Sequence, residues 1–268
     1  MIRTPGTPSA PVVDGVLFDL DDTLLDLRGA QLPAFAETVR AQWPDAPPAE
    51  AGVFVRAADH FAADRSGHYQ RYIAGELDFA GQRLARARDA LAVLGAPGAV
   101  AEPDPALWTD EYEVRVRAHW ALFDDVVPTL ATLRSSGVAL GIVTNNVEAY
   151  QRAKADALGL EAITVLVGSD SAGAPKPDPA PFLEACRRMG TTPGRTACVG
   201  DSLSHDVRGA RAAGLVPVWL RRGAGAADGG GEGRWDAAEG AWTIGGLGAL
   251  AAWFPGSGAD LASGREVL

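Results

Sequence analysis

Between residues 128 and 220 the apolar pattern switches repeatedly between the period of a helix and that of a buried strand, and no other feature restricts the fold as much. The pattern predicts helices at 128–135, 147–158, 180–189 and 205–213. Between them it predicts the strands VALGIVT at 138–144, ITVLVG at 163–168, TACVG at 196–200 and LVPVWL at 215–220. Short, continuously apolar strands joined by helices form right-handed βαβ crossovers, which build a parallel sheet covered on both faces. A further buried strand is expected at 12–18, VVDGVLF, which ends abruptly in DLDD.

From about residue 31 to residue 120 the character changes to Ala-, Arg- and Glu-rich segments at helical spacing, broken by Pro44, Pro47, Pro48, Gly81, Gly95 and the PDP at 103–105. The fold class expected is therefore α/β: a doubly wound parallel sheet with an inserted α-helical domain. Its bounds read as 1–27 and 121–255 for the sheet domain and 28–120 for the insertion. A flexible Gly-rich loop is expected at 221–240, before a last short strand and helix around 242–254, and a C-terminal tail at 256–268.

Composition narrows the function. A net charge of −10 offers no basic footprint for nucleic acid, so an anionic ligand needs local neutralisation. The opening MIRTPGTPSAP lacks the apolar core of a signal peptide, and no run approaches the roughly 20 apolar residues of a membrane span. Two cysteines, Cys186 and Cys198, both in apolar segments, read as buried thiols of a cytoplasmic protein. Only two of the 24 basic residues are lysines, Lys154 and Lys176.

Polar residues gather where the strands end. Asp19, Asp21 and Thr23 follow the first strand, Thr144, Asn145 and Asn146 the second, Lys176 the third, and Asp201 and Asp206 the fourth. In parallel α/β sheets ligands sit beyond the carboxyl ends of the strands, so these groups are expected in one cleft. Four carboxylates together repel one another, and a hard divalent cation such as Mg2+ resolves that when no His or Cys is at hand. The remaining cation, Lys176, and the hydroxyl of Thr144 then suit an anionic ligand, most economically a phosphate.

The strings FDLDDTL at 18–24, VTNN at 143–146, PKPDP at 175–179 and GDSLSHD at 200–206 resemble, in order, the four motifs of the haloacid dehalogenase-like hydrolase superfamily. The resemblance covers about residues 12–220 and implies a Rossmann-like core, with the helical insertion standing where that family carries its cap domain. It implies that Asp19 attacks phosphorus to form an aspartyl-phosphate and that Asp21 acts as general acid and base. The family's true dehalogenases have a non-acidic residue at the second position, so the carboxylate of Asp21 favours a phosphatase. Thr144, Asn145 and Lys176 would bind the phosphoryl group, and Asp19, Asp201 and the carbonyl of Asp21 would hold magnesium. Asp206 would assist through water or by orienting Lys176. The expected partner is a small phosphorylated metabolite.

Each string also has a plain structural reading, as a helix N-cap, a turn or a rigid loop, and only their ordered conjunction points to catalysis. In the insertion, Arg65, His68, Tyr69, Arg71 and Tyr72 are the densest polar and aromatic group. Arg71 is the candidate substrate contact among them, against the alternative of a solvated helix face. Two other functions fit the same fold: a phosphomutase or phosphoryltransferase acting on a sugar phosphate, and a binding protein without turnover. The family's sugar phosphomutases usually carry Gly where Asp22 stands and Val or a similar residue in place of Thr23, so this sequence departs from them.

Overall fold

The computed structural model describes residues 10–223 and 233–254. The chain divides into two compact units, crossing between them at Leu25/Asp26 and at Ala121/Leu122.

One unit is built on a seven-stranded sheet: β1 (Gly15–Phe18), β2 (Ala139–Val143), β3 (Val165–Val167), β4 (Thr196–Gly200), β5 (Val216–Leu220), β6 (Arg234–Asp236) and β7 (Ala241–Ile244). The spatial order is β3-β2-β1-β4-β5-β7-β6. All neighbours run parallel except β6, which lies antiparallel on β7. Phe18, the last residue of β1, is level with Ile142 of β2 and Val199 of β4, so these three strands end together.

The other unit, Asp26–Ala121, is helical, with α1 (Leu27–Gln42), α2 (Gly52–Ala62), α3 (His68–Ile73), α4 (Phe79–Leu94) and α5 (Tyr112–Ala118). It has a core of its own, in which Phe35, Phe54, Phe61, Trp108 and Tyr112 meet ring to ring, mostly edge-on or tilted as aromatic quadrupoles favour. Asp26 and Asp78 cap α1 and α4, accepting from the amides of Gly29 and Gly81.

Around the sheet lie α6 (Val126–Ser135), α7 (Glu148–Ala157), the single turn α8 (Ser169–Ala172), α9 (Pro179–Met189) and α10 (Arg208–Ala212). Alternate strand residues serve opposite faces, as the period of two requires. Val16, Phe18, Ile142, Ala197 and Val199 pack with Val126, Leu130 and Leu133 of α6 and Ala155 of α7. Leu17, Val143 and Cys198 pack with Phe182, Ala185 and Cys186 of α9 and Ala210 of α10. This two-sided burial is why the strand sequences are apolar throughout rather than alternating.

Three expectations change. Within the 221–240 segment, Arg234–Asp236 are not loop but the edge strand β6, held by the T-shaped packing of Trp235 on Trp242. Residues 224–232, the 256–268 tail and the first nine residues lie outside the described residues. The last helix is a run of 3-10 turns at Leu247–Trp253, in a stretch where Gly245, Gly246 and Gly248 weaken α-helix. The segment at 205–213 begins two residues early as π-helix, Leu203–Val207, before α10.

Candidate active site

The level ends of β1, β2 and β4 set the site. β1 runs into Asp19, whose amide donates to Val199 O of β4 at 2.9 Å, so the first carboxylate is fixed by the sheet itself. The chain then turns sharply. Asp22 takes a left-handed φ of 60°, a conformation Asp tolerates better than most residues, and its amide donates to Leu25 O at 2.7 Å. Thr23, next in the turn, is fully buried.

Lys176 occupies the centre. Its Nζ donates to Asp19 Oδ1 at 2.6 Å, to Asp206 Oδ1 at 2.6 Å and to Val143 O at 3.1 Å, with the side chain almost wholly buried. Burial alone would make Lys176 a stronger acid, but the two carboxylates overturn this and hold it firmly protonated. Asn145 positions its backbone from both sides, accepting from Lys176 N at 2.6 Å and donating to Lys176 O at 2.9 Å. The Lys176–Pro177 peptide bond is cis.

Asp206 is committed on both oxygens, to Lys176 and, at 3.0 Å, to the amide of Ser202. It sits so close to β4 that a Cβ on Gly200 would collide with its carboxylate, which is why glycine ends that strand. The main-chain oxygen of neighbouring Asp201 accepts from Trp219 Nε1 at 3.0 Å.

Asp19, Asp201 and Asp206 each offer an oxygen within 4.8 Å of the others. Loss of hydration, then the charge of Asp206 and of Asp22, pushes Asp201 up to about 7. Burial likewise raises Asp19 well above the ordinary range, against the pull of Lys176 and helped by Asp206 and Asp201. A buried cluster whose carboxylates resist ionising and repel one another, built only from hard oxygens, fits a divalent cation of the magnesium type.

Thr144, at the end of β2, is also buried; its amide donates to Val167 O at 3.0 Å. The structure thus brings Asp19, Asp21, Thr144, Asn145, Lys176, Asp201 and Asp206 to one end of the sheet. Arg71 belongs to the helical unit, on α3, where its Nε donates to Glu76 at 3.0 Å and the side chain is half exposed.

Two further residues reach the site, Gln151 and Lys154 of α7. Lys154 Nζ lies 2.8 Å from Asp21 Oδ1, and Gln151 Nε2 donates to Asp21 Oδ2 at 2.9 Å and to Thr144 Oγ1 at 2.8 Å. They are absent from the strand-end strings because they enter from a helix. The usable signal was composition: Lys154 and Lys176 are the only lysines, and each pairs with a carboxylate of the first motif.

Comparison with known proteins agrees with this architecture. A family model described as haloacid dehalogenase-like hydrolase matches residues 13–214. Over 232 residues the chain is 35% identical to the phosphoserine phosphatase of Thermus thermophilus, covering 78% of this chain and 88% of that protein. It is 39% identical over 127 residues to the glyceraldehyde 3-phosphate phosphatase of Methanopyrus kandleri, a match spanning 46% of this chain and only about half, 54%, of the relative. Among solved structures, a magnesium-bound hydrolase of Bacillus subtilis superposes with a TM-score of 0.62 at 24% identity, covering 78% of this chain and 89% of that one, and so shares the fold.

Proposed function

The chain belongs to the haloacid dehalogenase-like hydrolases, and on that premise we propose that it is a magnesium-dependent phosphatase acting on small phosphomonoesters, with Asp19 as nucleophile. The observation that carries this is the burial of Lys176 between Asp19 and Asp206, with Asp201 beside them, at the level ends of β1, β2 and β4. The named relatives act as phosphatases on small phosphorylated compounds, which supports the same substrate class here.

Asp19 and Asp201, with the main-chain carbonyl of Asp21, would hold the metal, which when bound neutralises charge on the phosphoryl oxygens. Asp206, with both oxygens engaged, serves mainly to orient Lys176. A carboxylate oxygen of Asp19 attacks phosphorus, and the ester P–O bond breaks as Asp21 gives its proton to the leaving oxygen. Asp21 then takes a proton from water as that water attacks phosphorus, the Asp19–phosphorus bond breaks, and inorganic phosphate leaves with Asp21 protonated again. Thr144 and Lys176 stabilise charge on the transferring group throughout.

Phosphate release from a panel of small phosphomonoesters tests the reading. Release is expected with magnesium, to cease under chelation and to cease in Asp19→Asn. Full turnover by Asp19→Asn would refute it.

A further inference from the structure

Asp21 is held from one helix, and the same helix grips the residue proposed to bind phosphate. Gln151 and Lys154 are three residues apart on α7, so they share a face, and both are buried. Between them they engage both oxygens of Asp21, Lys154 on Oδ1 and Gln151 on Oδ2. Gln151 uses the same amide nitrogen on Thr144 Oγ1. Because that hydroxyl oxygen accepts from Gln151, the proton of Thr144 is turned away from the amide and is available to donate elsewhere.

Burying an ammonium and an amide is costly unless the geometry is used. Apart from Lys176, the other basic residues of this chain are all arginines, yet α7 sets a lysine against Asp21. The backbone of α7 is fixed from below by Ala155 in the sheet's core and from its start by the bond from Gln151 N to Val147 O.

We infer that Gln151 and Lys154 are positioning residues that hold the acid/base carboxylate of Asp21 in register with Thr144, so that proton delivery and phosphoryl binding are aligned through one helix. This rests on the role of Asp21 given above, and the experiment separates the two.

The test compares kcat/KM for phenyl phosphate and p-nitrophenyl phosphate. This quantity reports transfer to Asp19, the step in which the leaving group departs, and p-nitrophenolate departs without a proton while phenolate benefits from one. General acid catalysis contributes about 10²- to 10⁴-fold, so Asp21→Asn should lose activity on phenyl phosphate by that order and much less on the nitrophenyl ester. Lys154→Met and Gln151→Leu should shift the ratio in the same direction by about tenfold or more, as partial loss of the same contribution. Lys154→Arg should recover part of it. A residue that only supports the fold would lower both activities equally.

If Asp21→Asn shifts the ratio and the α7 variants leave it unchanged, the inference is overturned and the role of Asp21 stands. If Asp21→Asn does not shift it either, the acid/base reading falls and the inference falls with it. Should Lys154→Met fail to fold by circular dichroism, Gln151→Leu decides by the same ratio.

Discussion

Lys176 is a cation enclosed by two anions, and removing it strands both. Breaking a buried pair from one side costs about 3–5 kcal/mol, so Lys176→Met should lower the urea midpoint of the metal-free protein by a corresponding amount. The acidic cluster gives a pH dependence of definite sign. Asp19 and Asp201 hold their protons more firmly when folded than when unfolded. Their contribution to stability is therefore full below the unfolded carboxylate range, about 4, and is lost as the pH rises through the folded values, about 7 for Asp201. In chelator the melting temperature should fall between pH 5 and pH 8, modestly because Asp201 is open to solvent, and magnesium should reduce the fall. At this scale the strand-end carboxylates and Lys176 were legible because their place depends only on strand order. Gln151 and Lys154 were not, since which face of a helix meets a neighbouring loop is a matter of packing.

The elements show where local chemistry and catalysis part company within one motif. In PKPDP, Lys176 reaches the carboxylates, whereas Asp178 caps α9, accepting from Ala180 N at 2.8 Å with Pro179 in the first turn. Asp178→Ala should therefore cost about 1 kcal/mol in denaturant unfolding and leave kcat nearly unchanged. Gly200→Ala should instead lower both. A methyl there displaces Asp206 and loosens Lys176, so kcat and the melting temperature are expected to fall together. The parallel strands could be read from sequence because burial on both faces leaves uninterrupted apolar runs. Edge strand β6 could not, because its three residues, Arg234, Trp235 and Asp236, carry no alternation and owe their place to pairing with β7 and to the contact of Trp235 with Trp242.

The whole chain has separate apolar centres, one set on the sheet and one in the insertion. Trp108 is fully buried against the rings of Phe35, Phe61 and Tyr112, so Trp108→Ala should destabilise the helical unit by about 3–5 kcal/mol. Hydrogen exchange should show the loss in α1, α2 and α4 rather than in β1, β2 and β4. The two crossings of the chain lie side by side: Leu25 bridges Leu122 antiparallel, and the amide of Asp26 donates to Ala121 O at 3.0 Å. Ninety-odd residues thus leave and return through a single doorway one hydrogen bond wide. A different insert whose ends meet at the same spacing could be spliced in at no added cost in loop closure, so the scaffold is suited to trading that segment wholesale while its carboxylates stay where they are.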